Sequence, residues 1–159
     1  MNKLYLTKNF YLVIALLSIL SLISAIYIEY IIGIKPCKLC LYQRVPYILS
    51  IFLCFIGYGN IKNKIWLYLL ITVFLISGVL AAYHVGIENN IFPEFSGCTA
   101  NNLDIMEKDE LLNSLKNSVP NCKNINFKLA GFSLATINLF ISSSIVVIST
   151  KLLTNEKNR

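Results

Sequence analysis

The segment IWLYLLITVFLISGVLAAYHV, residues 65–85, decides the fold because it holds no Asp, Glu, Lys or Arg over 21 consecutive positions. An α-helix rises about 1.5 Å per residue, so a helix of this length reaches about 31 Å, close to the thickness of the hydrocarbon core of a bilayer. A run of this length and composition is typical of a transmembrane helix. We therefore expect lipid to surround this part of the chain.

Three further apolar runs lie outside this segment. Residues 10–28 and 127–148 are long enough to span a membrane by the same arithmetic. Residues 45–58 are too few, so we expect the second helix to begin near Cys40. The predicted fold class is an all-α, membrane-embedded antiparallel four-helix bundle. The single domain, residues 1–159, then has its spans at about residues 10–33, 40–58, 65–85 and 127–149.

The composition agrees with a membrane protein. Hydrophobic residues make up 56% of the chain and charged residues 14%, whereas soluble domains have about 45–50% apolar and about 25% charged residues. The net charge of +6 comes from basic residues that flank the spans. Anionic membrane lipid accounts for such cations, so we expect no nucleic acid partner.

The first run, residues 10–28, follows Lys3 and Lys8 and is therefore also compatible with a signal peptide. The core of a signal peptide is about 7–15 residues long and ends at a small-residue cleavage site. This run is longer and continues into Glu29 without an Ala-x-Ala pattern. We expect it to be retained as a membrane anchor.

The distribution of cysteines indicates the orientation. Four spans put both chain ends on one side, and the positive-inside rule favours the cytoplasm for that side only modestly. Four of the five cysteines fall in the two connections on the other side, at about residues 34–39 and 86–126. Disulfides persist in oxidising compartments such as the periplasm. We therefore expect a multi-pass protein of the bacterial inner (plasma) membrane, with both termini cytoplasmic and two periplasmic loops.

Cys37 and Cys40 form a C-x-x-C pair at the predicted start of the second helix. Two residues between the cysteines permit a small disulfide ring, and a helix N-terminus with nearby cations favours the thiolate. The pattern predicts a redox-active pair. The alternative is half of a zinc site, which needs four N or S ligands at compact spacing. Cys98 and Cys122 are 24 positions apart with no histidine between them, so we expect no metal.

Two other residues of the second span are interpreted from their positions. Arg44 follows Cys40 by four residues, which puts both on one face of a helix. A cation there would stabilise a Cys40 thiolate, and the alternative is an arginine that only reaches from the membrane edge into water. Cys54 lies in the middle of the span, where a protonated thiol behaves as a small hydrophobic side chain with little reactivity.

The sequence PCKLCLYQRVP, residues 36–46, resembles the P-C-x-L-C-x-x-Q-R signature of the DsbB family. Members of this family are four-span inner-membrane enzymes that reoxidise the periplasmic thiol oxidase DsbA with quinone. The segments YHVGIE at 83–88 and GFSLA at 131–135, with Cys98 and Cys122 between them, extend the resemblance over nearly the whole chain. The short C-terminal tail and the Asn-rich second loop depart from the family pattern.

The resemblance implies a membrane thiol:quinone oxidoreductase that supports disulfide bond formation in exported proteins. The implied cofactor is ubiquinone or menaquinone, and the implied partner is a periplasmic DsbA-like thiol oxidase. Four cysteines would be catalytic, since electrons would pass from Cys98 and Cys122 to Cys37 and Cys40 and then to quinone. The resemblance also carries a role in quinone binding onto Arg44.

His84 is the only histidine of the chain, and it lies at the predicted depth of Cys40 and Arg44. This depth is where the head of a quinone would sit. A proton donor is needed there, because quinone reduction takes up two protons. The alternative is a polar side chain at the level of the lipid head groups.

The second loop holds the other cysteine pair. A disulfide between Cys98 and Cys122 would close a ring of 25 residues, for which loop-closure entropy gives about 3.5 kcal/mol. A purely structural disulfide is therefore an alternative to a catalytic one. Residues 93–97 are expected to be an extended stretch that could enter a thioredoxin-like groove. Between the cysteines, Asp104–Ser118 is predicted to be a short amphipathic helix along the membrane surface.

Two other functions stay open at this point. The main one is a non-catalytic membrane protein whose two disulfides only stabilise its outer loops. The second is a quinone-linked oxidoreductase of the vitamin K epoxide reductase type, but in those proteins the C-x-x-C pair lies in a late helix and not at the second.

Overall fold

The computed structural model describes residues 3–93, 122, 128–129 and 131–157. Four long helices follow one another in the chain: α1 (Lys3–Tyr30), α2 (Lys38–Gly59), α3 (Ile65–Glu88) and α4 (Leu134–Lys157). Each is long and apolar enough to cross a membrane. The all-α four-helix architecture is therefore confirmed. Cys98 and the amphipathic helix predicted at Asp104–Ser118 lie outside the described residues.

The outer surface of the bundle is apolar. Large hydrophobic side chains point away from the core on every helix, and Phe55 and Val79 are 67% and 68% exposed. In water, a continuous apolar surface of this kind would drive association. In a bilayer the same surface contacts acyl chains, while the helices satisfy their own backbone hydrogen bonds. The outer surface therefore has the chemistry that lipid requires.

Short connections join α1 to α2 and α2 to α3 as antiparallel neighbours, and each helix packs on the next in the chain. Tyr11, Leu70 and Phe74 form the centre of the core. Small polar side chains join α1 to α2. The hydroxyls of Ser18 on α1 and Ser50 on α2 lie 2.7 Å apart, and hydrogen bonds of this kind stabilise helix pairs in lipid.

The start of α4 is set by a small hairpin. Strands β1 (Lys128–Leu129) and β2 (Phe132–Ser133) pair antiparallel, and Gly131 in the turn has a φ of +86°, which glycine adopts without steric cost. The Ser133 hydroxyl then accepts a hydrogen bond from the backbone N–H of Thr136 at 3.2 Å and caps the helix. For this reason α4 begins at Leu134 and not at residue 127, where the sequence predicts the span to begin.

Candidate redox site

Cys37 and Cys40 lie together at the start of α2, with their Sγ atoms 3.0 Å apart. Both thiols are free. Pro36 precedes the pair, and Cys37 has an extended backbone that ends the incoming loop. The Sγ atom of Cys37 accepts a hydrogen bond from the backbone N–H of Cys40 at 3.3 Å. Cys37 is therefore both one half of the dithiol and the N-cap of the helix.

The surroundings of Cys37 favour its thiolate. Its pKa is lowered below the usual range of a thiol, chiefly by the side-chain hydrogen bond with Cys40. Burial opposes this shift, whereas the hydrogen bond with His84 and the backbone N–H of Cys40 add to it. Because the thiolate is the reactive form, Cys37 has the character of a nucleophile. The sequence instead favours Cys40 as the thiolate, on the argument that Arg44 lies one turn away.

His84 comes from the end of α3 to the dithiol. Its Nε2 atom lies 3.7 Å from the Sγ atom of Cys37, and its Nδ1 atom lies 3.3 Å from the amide nitrogen of Gln43. Because the Gln43 amide can present either its N–H or its oxygen to Nδ1, the contact sets the orientation of the ring and leaves Nε2 facing Cys37. The structure thus brings His84 into contact with the thiol pair.

Glu88 completes this cluster from one helical turn beyond His84. Its Oε1 atom lies 3.8 Å from His84 Nε2, and its side chain is only 8% exposed. The hydroxyl of Ser133 donates to its Oε2 atom at 2.6 Å. Sequence reasoning noted Glu88 only as part of the 83–88 segment and missed this contact. The i,i+4 spacing from His84 is the signal that points to it.

Arg44 lies beside the dithiol but is paired with a residue of α1. Its Nη1 atom is 2.6 Å from Oε2 of Glu29, and both side chains are about a fifth exposed, at 22% and 23%. The ion pair fixes the guanidinium at the side of α2 that faces α1. Sequence reasoning took Glu29 only as the end of the first apolar run, so it missed this partner.

A cavity of about 360 Å³ joins these residues, which lies in the size range of small-molecule sites. One end is polar and is lined by Cys37, Cys40, Gln43, Arg44, His84 and Glu88. The walls are apolar and come from α1 and α4, through residues such as Leu17, Leu20, Ile28, Ile137 and Ile141. The cavity therefore suits a molecule with a polar head and an apolar remainder.

Asn138 of α4 lines the same cavity with an unused donor. Its Oδ1 atom accepts hydrogen bonds from the Tyr47 hydroxyl at 2.6 Å and the Ser142 hydroxyl at 3.1 Å. Its Nδ2 atom is buried and has no hydrogen-bond partner among the described residues. Because burying an amide N–H without a partner is costly, this group is suited to bind a polar atom of a ligand.

Cys122 lies against the first cysteine pair. Its side chain is buried in one cluster with Cys37, Leu39 and Ile87, and its backbone forms a hydrogen bond with His84. Cys122 is disulfide-bonded, whereas the other described cysteines, Cys37, Cys40 and Cys54, are free. Of the six site residues predicted from the sequence, five therefore lie around one cavity, and Cys98 lies outside the described residues.

Cys54, by contrast, is buried in the main core, where it packs with Tyr47, Leu70 and Phe74. This core does not include Cys37 or Cys122, which belong to a separate buried cluster. Its position matches the interpretation of Cys54 as a small hydrophobic side chain.

Comparisons with known proteins agree with this geometry. The family model described as disulfide bond formation protein DsbB matches residues 7–152. A protein of Rickettsia prowazekii (strain Madrid E), named as uncharacterised, is 28% identical over 90% of this chain and 88% of its own length. A protein of Pseudoalteromonas translucida (strain TAC 125), named disulfide bond formation protein B, is 24% identical over 83% of each chain. With its four spanning helices and its cysteine cluster, the chain belongs to the DsbB family of disulfide bond formation proteins.

Proposed function

We propose that this chain is a membrane thiol:quinone oxidoreductase. It reoxidises a periplasmic DsbA-like thiol oxidase of the thioredoxin fold, passes the electrons to membrane quinone and thereby supports disulfide bond formation in exported proteins. The observation that carries the proposal is the position of the free Cys37–Cys40 dithiol at the polar end of a cavity with apolar walls. Membership of the DsbB family supports the same function.

Electrons enter at Cys98 and Cys122. A thiolate of the partner attacks Cys98, so a mixed disulfide forms and the bond between Cys98 and Cys122 breaks. The second thiol of the partner then displaces Cys98, and the partner leaves with its own disulfide. Two electrons remain on the Cys98–Cys122 dithiol.

The second exchange joins the two cysteine pairs. The Cys122 thiolate attacks the Cys37–Cys40 disulfide, and Cys98 then displaces the attacked sulfur, which restores the Cys98–Cys122 disulfide. Cys37 and Cys40 are left as the dithiol. The burial of Cys122 against Cys37 supports this exchange, since the two pairs must meet. A disulfide-bonded Cys122 beside two free thiols corresponds to the state that follows it.

The cavity supports quinone as the electron acceptor. A bound quinone, ubiquinone or menaquinone, accepts two electrons and two protons. The residues that would hold its polar head are Arg44, His84 and Asn138, because each offers an N–H donor at the cavity. The buried Nδ2 atom of Asn138, which has no partner among the described side chains, fits this role. The apolar walls from α1 and α4 would hold the hydrocarbon part.

His84 exchanges protons with the dithiol, and Glu88 stabilises the charge that His84 gains. Oxidation of the pair releases the protons that its sulfurs carry, and His84 Nε2 lies 3.7 Å from Cys37 Sγ, where it exchanges a proton with that sulfur. Glu88 stabilises the charged imidazolium from 3.8 Å. Gln43 holds the ring in the required orientation through Nδ1.

The proposed function also implies the membrane and the orientation of the chain. The chain is a multi-pass protein of the bacterial inner membrane, with both termini cytoplasmic and the cysteine cluster at the periplasmic face. The four apolar helices support membrane insertion, and thiol chemistry on exported proteins requires the oxidising side of the membrane.

The test uses purified protein in lipid nanodiscs with ubiquinone or menaquinone and a reduced DsbA-like dithiol protein. We expect many equivalents of the dithiol to be oxidised per protein, with equimolar loss of quinone followed by its ultraviolet absorbance. Cys40→Ala should abolish turnover, whereas Cys54→Ala, the matched control outside the cavity, should stay within a few-fold of wild type. Absence of turnover, or dithiol oxidation without loss of quinone, would favour two purely structural disulfides.

A further inference from the structure

We propose that the reduced protein binds a thiophilic divalent cation, of which Zn²⁺ is the type, through Cys37, Cys40 and His84, with Glu88 as the fourth ligand. The ligand atoms of the first three residues all lie within 4.8 Å of one another. Bound metal prevents the oxidation of Cys37 and Cys40 to a disulfide. Only this effect on turnover rests on the proposed function, because binding itself requires neither quinone nor a partner protein.

The distances are close to those of a tetrahedral zinc site. Zinc binds thiolate sulfur at about 2.3 Å and imidazole nitrogen at about 2.0–2.1 Å, so a sulfur and a nitrogen ligand lie about 3.6 Å apart. The distance between Cys37 Sγ and His84 Nε2 is 3.7 Å. The two sulfurs, now 3.0 Å apart, need to separate to about 3.8 Å. Rotation of the partly exposed Cys40 side chain provides this movement.

Glu88 lies outside the group of three whose ligand atoms are within 4.8 Å of one another, so its carboxylate must move towards the two sulfurs to become the fourth ligand. Glu88 Oε1 lies 3.8 Å from His84 Nε2, and two ligand atoms of a tetrahedral site that are bound at about 2.0 Å lie about 3.3 Å apart. The carboxylate is already held by Ser133 through its other oxygen. Two cysteines, one histidine and one carboxylate form a ligand set that zinc accepts.

The residues behind the ligands orient them. Gln43 binds Nδ1 of His84, so Nε2 is the nitrogen that faces the two sulfurs. Ligating histidines in metal sites generally have such a partner on the other ring nitrogen, and its loss lowers metal affinity. The sequence predicts no metal because only Cys98 and Cys122 are candidates there for the third and fourth ligands, and their spacing does not suit zinc. The missing ligands, His84 and Glu88, come from α3.

Binding depends on the redox state. Zinc binds Cys37 and Cys40 as thiolates, so any proton that either sulfur still carries is released and two thiolate–metal bonds form without electron transfer. A Cys37–Cys40 disulfide has no thiolate to offer, so the oxidised protein lacks the two strongest ligands. Metal therefore binds only when Cys37 and Cys40 are reduced, and it stabilises the reduced state.

Binding is tested directly with Cd²⁺ and Co²⁺ as probes. The protein is reduced with a phosphine in detergent, and the thiolate-to-metal charge-transfer band and the visible Co²⁺ spectrum are followed during titration. We expect one equivalent to bind, with the visible spectrum of a tetrahedral site. The oxidised protein should bind none. The Cys98→Ser/Cys122→Ser double variant should still bind one equivalent, which assigns the metal to Cys37 and Cys40.

Variants at the proposed ligands complete the test. His84→Asn and Glu88→Gln should each lower the affinity for Cd²⁺ by at least about tenfold, whereas Cys54→Ser, which removes a buried thiol elsewhere, should leave it unchanged. Circular dichroism verifies that each variant is folded. An unchanged affinity in the folded Cys37→Ala variant, or equal binding by oxidised protein, would overturn the proposal. In the turnover assay, Zn²⁺ should inhibit the wild type and a chelator should restore the rate, and a rate that Zn²⁺ leaves unchanged at concentrations that saturate the reduced protein would overturn the proposed inhibition.

Discussion

The Nε2 atom of His84 lies 3.7 Å from the Sγ atom of Cys37, although 47 positions separate the two residues in the chain. This contact joins the end of α3 to the start of α2 and brings the only histidine of the chain to Cys37, the thiol whose pKa is lowered. It follows that the reactivity of the dithiol is controlled from two helices and not from α2 alone.

The first prediction concerns the reactivity of Cys37. His84→Asn removes a hydrogen bond that lowers the pKa of Cys37, so this pKa should rise towards the ordinary value of a thiol. The rate of alkylation of Cys37 by iodoacetamide at neutral pH should fall, and the midpoint of its pH dependence should move upward. Mass spectrometry of the alkylated peptide measures both. A midpoint that stays in place would show that His84 does not act on the thiol.

The second prediction is a dependence of stability on pH. The pKa of Cys37 is lowered in the folded protein, whereas an unfolded thiol has a pKa of about 8.5. The unfolded state therefore binds more protons between these two pKa values, so the stabilisation is fully present above pH of about 8.5 and is lost as the pH falls towards the folded pKa.

This stabilisation is measured on reduced protein by unfolding in mixed micelles at a series of pH values. The difference in unfolding free energy between wild type and Cys37→Ser should increase with pH. The comparison with this variant cancels the contributions of titrating groups that do not contact Cys37. A difference that is constant over the whole range would contradict the lowered pKa.

The third prediction concerns Arg44 at the cavity. Arg44→Ala should raise the apparent KM for quinone much more than it slows exchange between the partner and the Cys98–Cys122 pair. Glu29→Gln breaks the ion pair of 2.6 Å but keeps the guanidinium, so its effect on KM should be smaller. Steady-state kinetics and rapid-quench exchange give the two rates. Equal loss in both half-reactions would indicate that Arg44 is only a residue of the membrane edge.

The fourth prediction tests the unused donor of Asn138. Asn138→Leu keeps the approximate volume but removes Nδ2, so the apparent KM for quinone should rise. Ser142→Ala is the matched control, because it removes a hydrogen bond to Oδ1 and leaves Nδ2 in place. It should cost about 0.5–1.5 kcal/mol of stability with the KM unchanged. A similar KM for both variants would mean that Nδ2 does not bind quinone.

The fifth prediction traps the first exchange. If the partner attacks Cys98, then Cys122→Ala leaves no thiol in the loop pair to resolve the adduct. A partner whose single cysteine carries an activated disulfide should then accumulate a mixed disulfide, because the Cys98 thiolate attacks the partner's sulfur and the activating thiol leaves. The adduct is seen as a reducible band at the summed mass. Cys98→Ala should accumulate much less. Adducts mainly at Cys37 or Cys40 would reverse the proposed order of the relay.

The sequence predicts the four spans because each is an apolar run of sufficient length, and this property does not depend on packing. It also predicts the C-x-x-C pair at a helix start, since Pro36 and the first apolar residues of α2 mark that start locally. The start of α4 differs because the hairpin around Gly131 uses apolar residues that extend the run in the sequence.

The contacts of the site were less predictable. Glu29 with Arg44, and Gln43 with His84, are pairs between different helices. Such pairs depend on how each helix is rotated about its axis, and a helix that is apolar on all sides carries little information about that rotation. Glu88 is the exception, because its distance of four residues from His84 is a property of one helix.

The capping role of Cys37 has an energetic consequence for the direction of electron flow. Its sulfur accepts the backbone N–H of Cys40 in the free-thiol state described here, and interactions that stabilise a thiolate stabilise the reduced form of its couple. A couple with a stabilised reduced form has a higher reduction potential. In the proposed relay, the first turn of α2 thus raises the reduction potential of the Cys37–Cys40 couple, which favours the transfer of electrons from the loop pair to it.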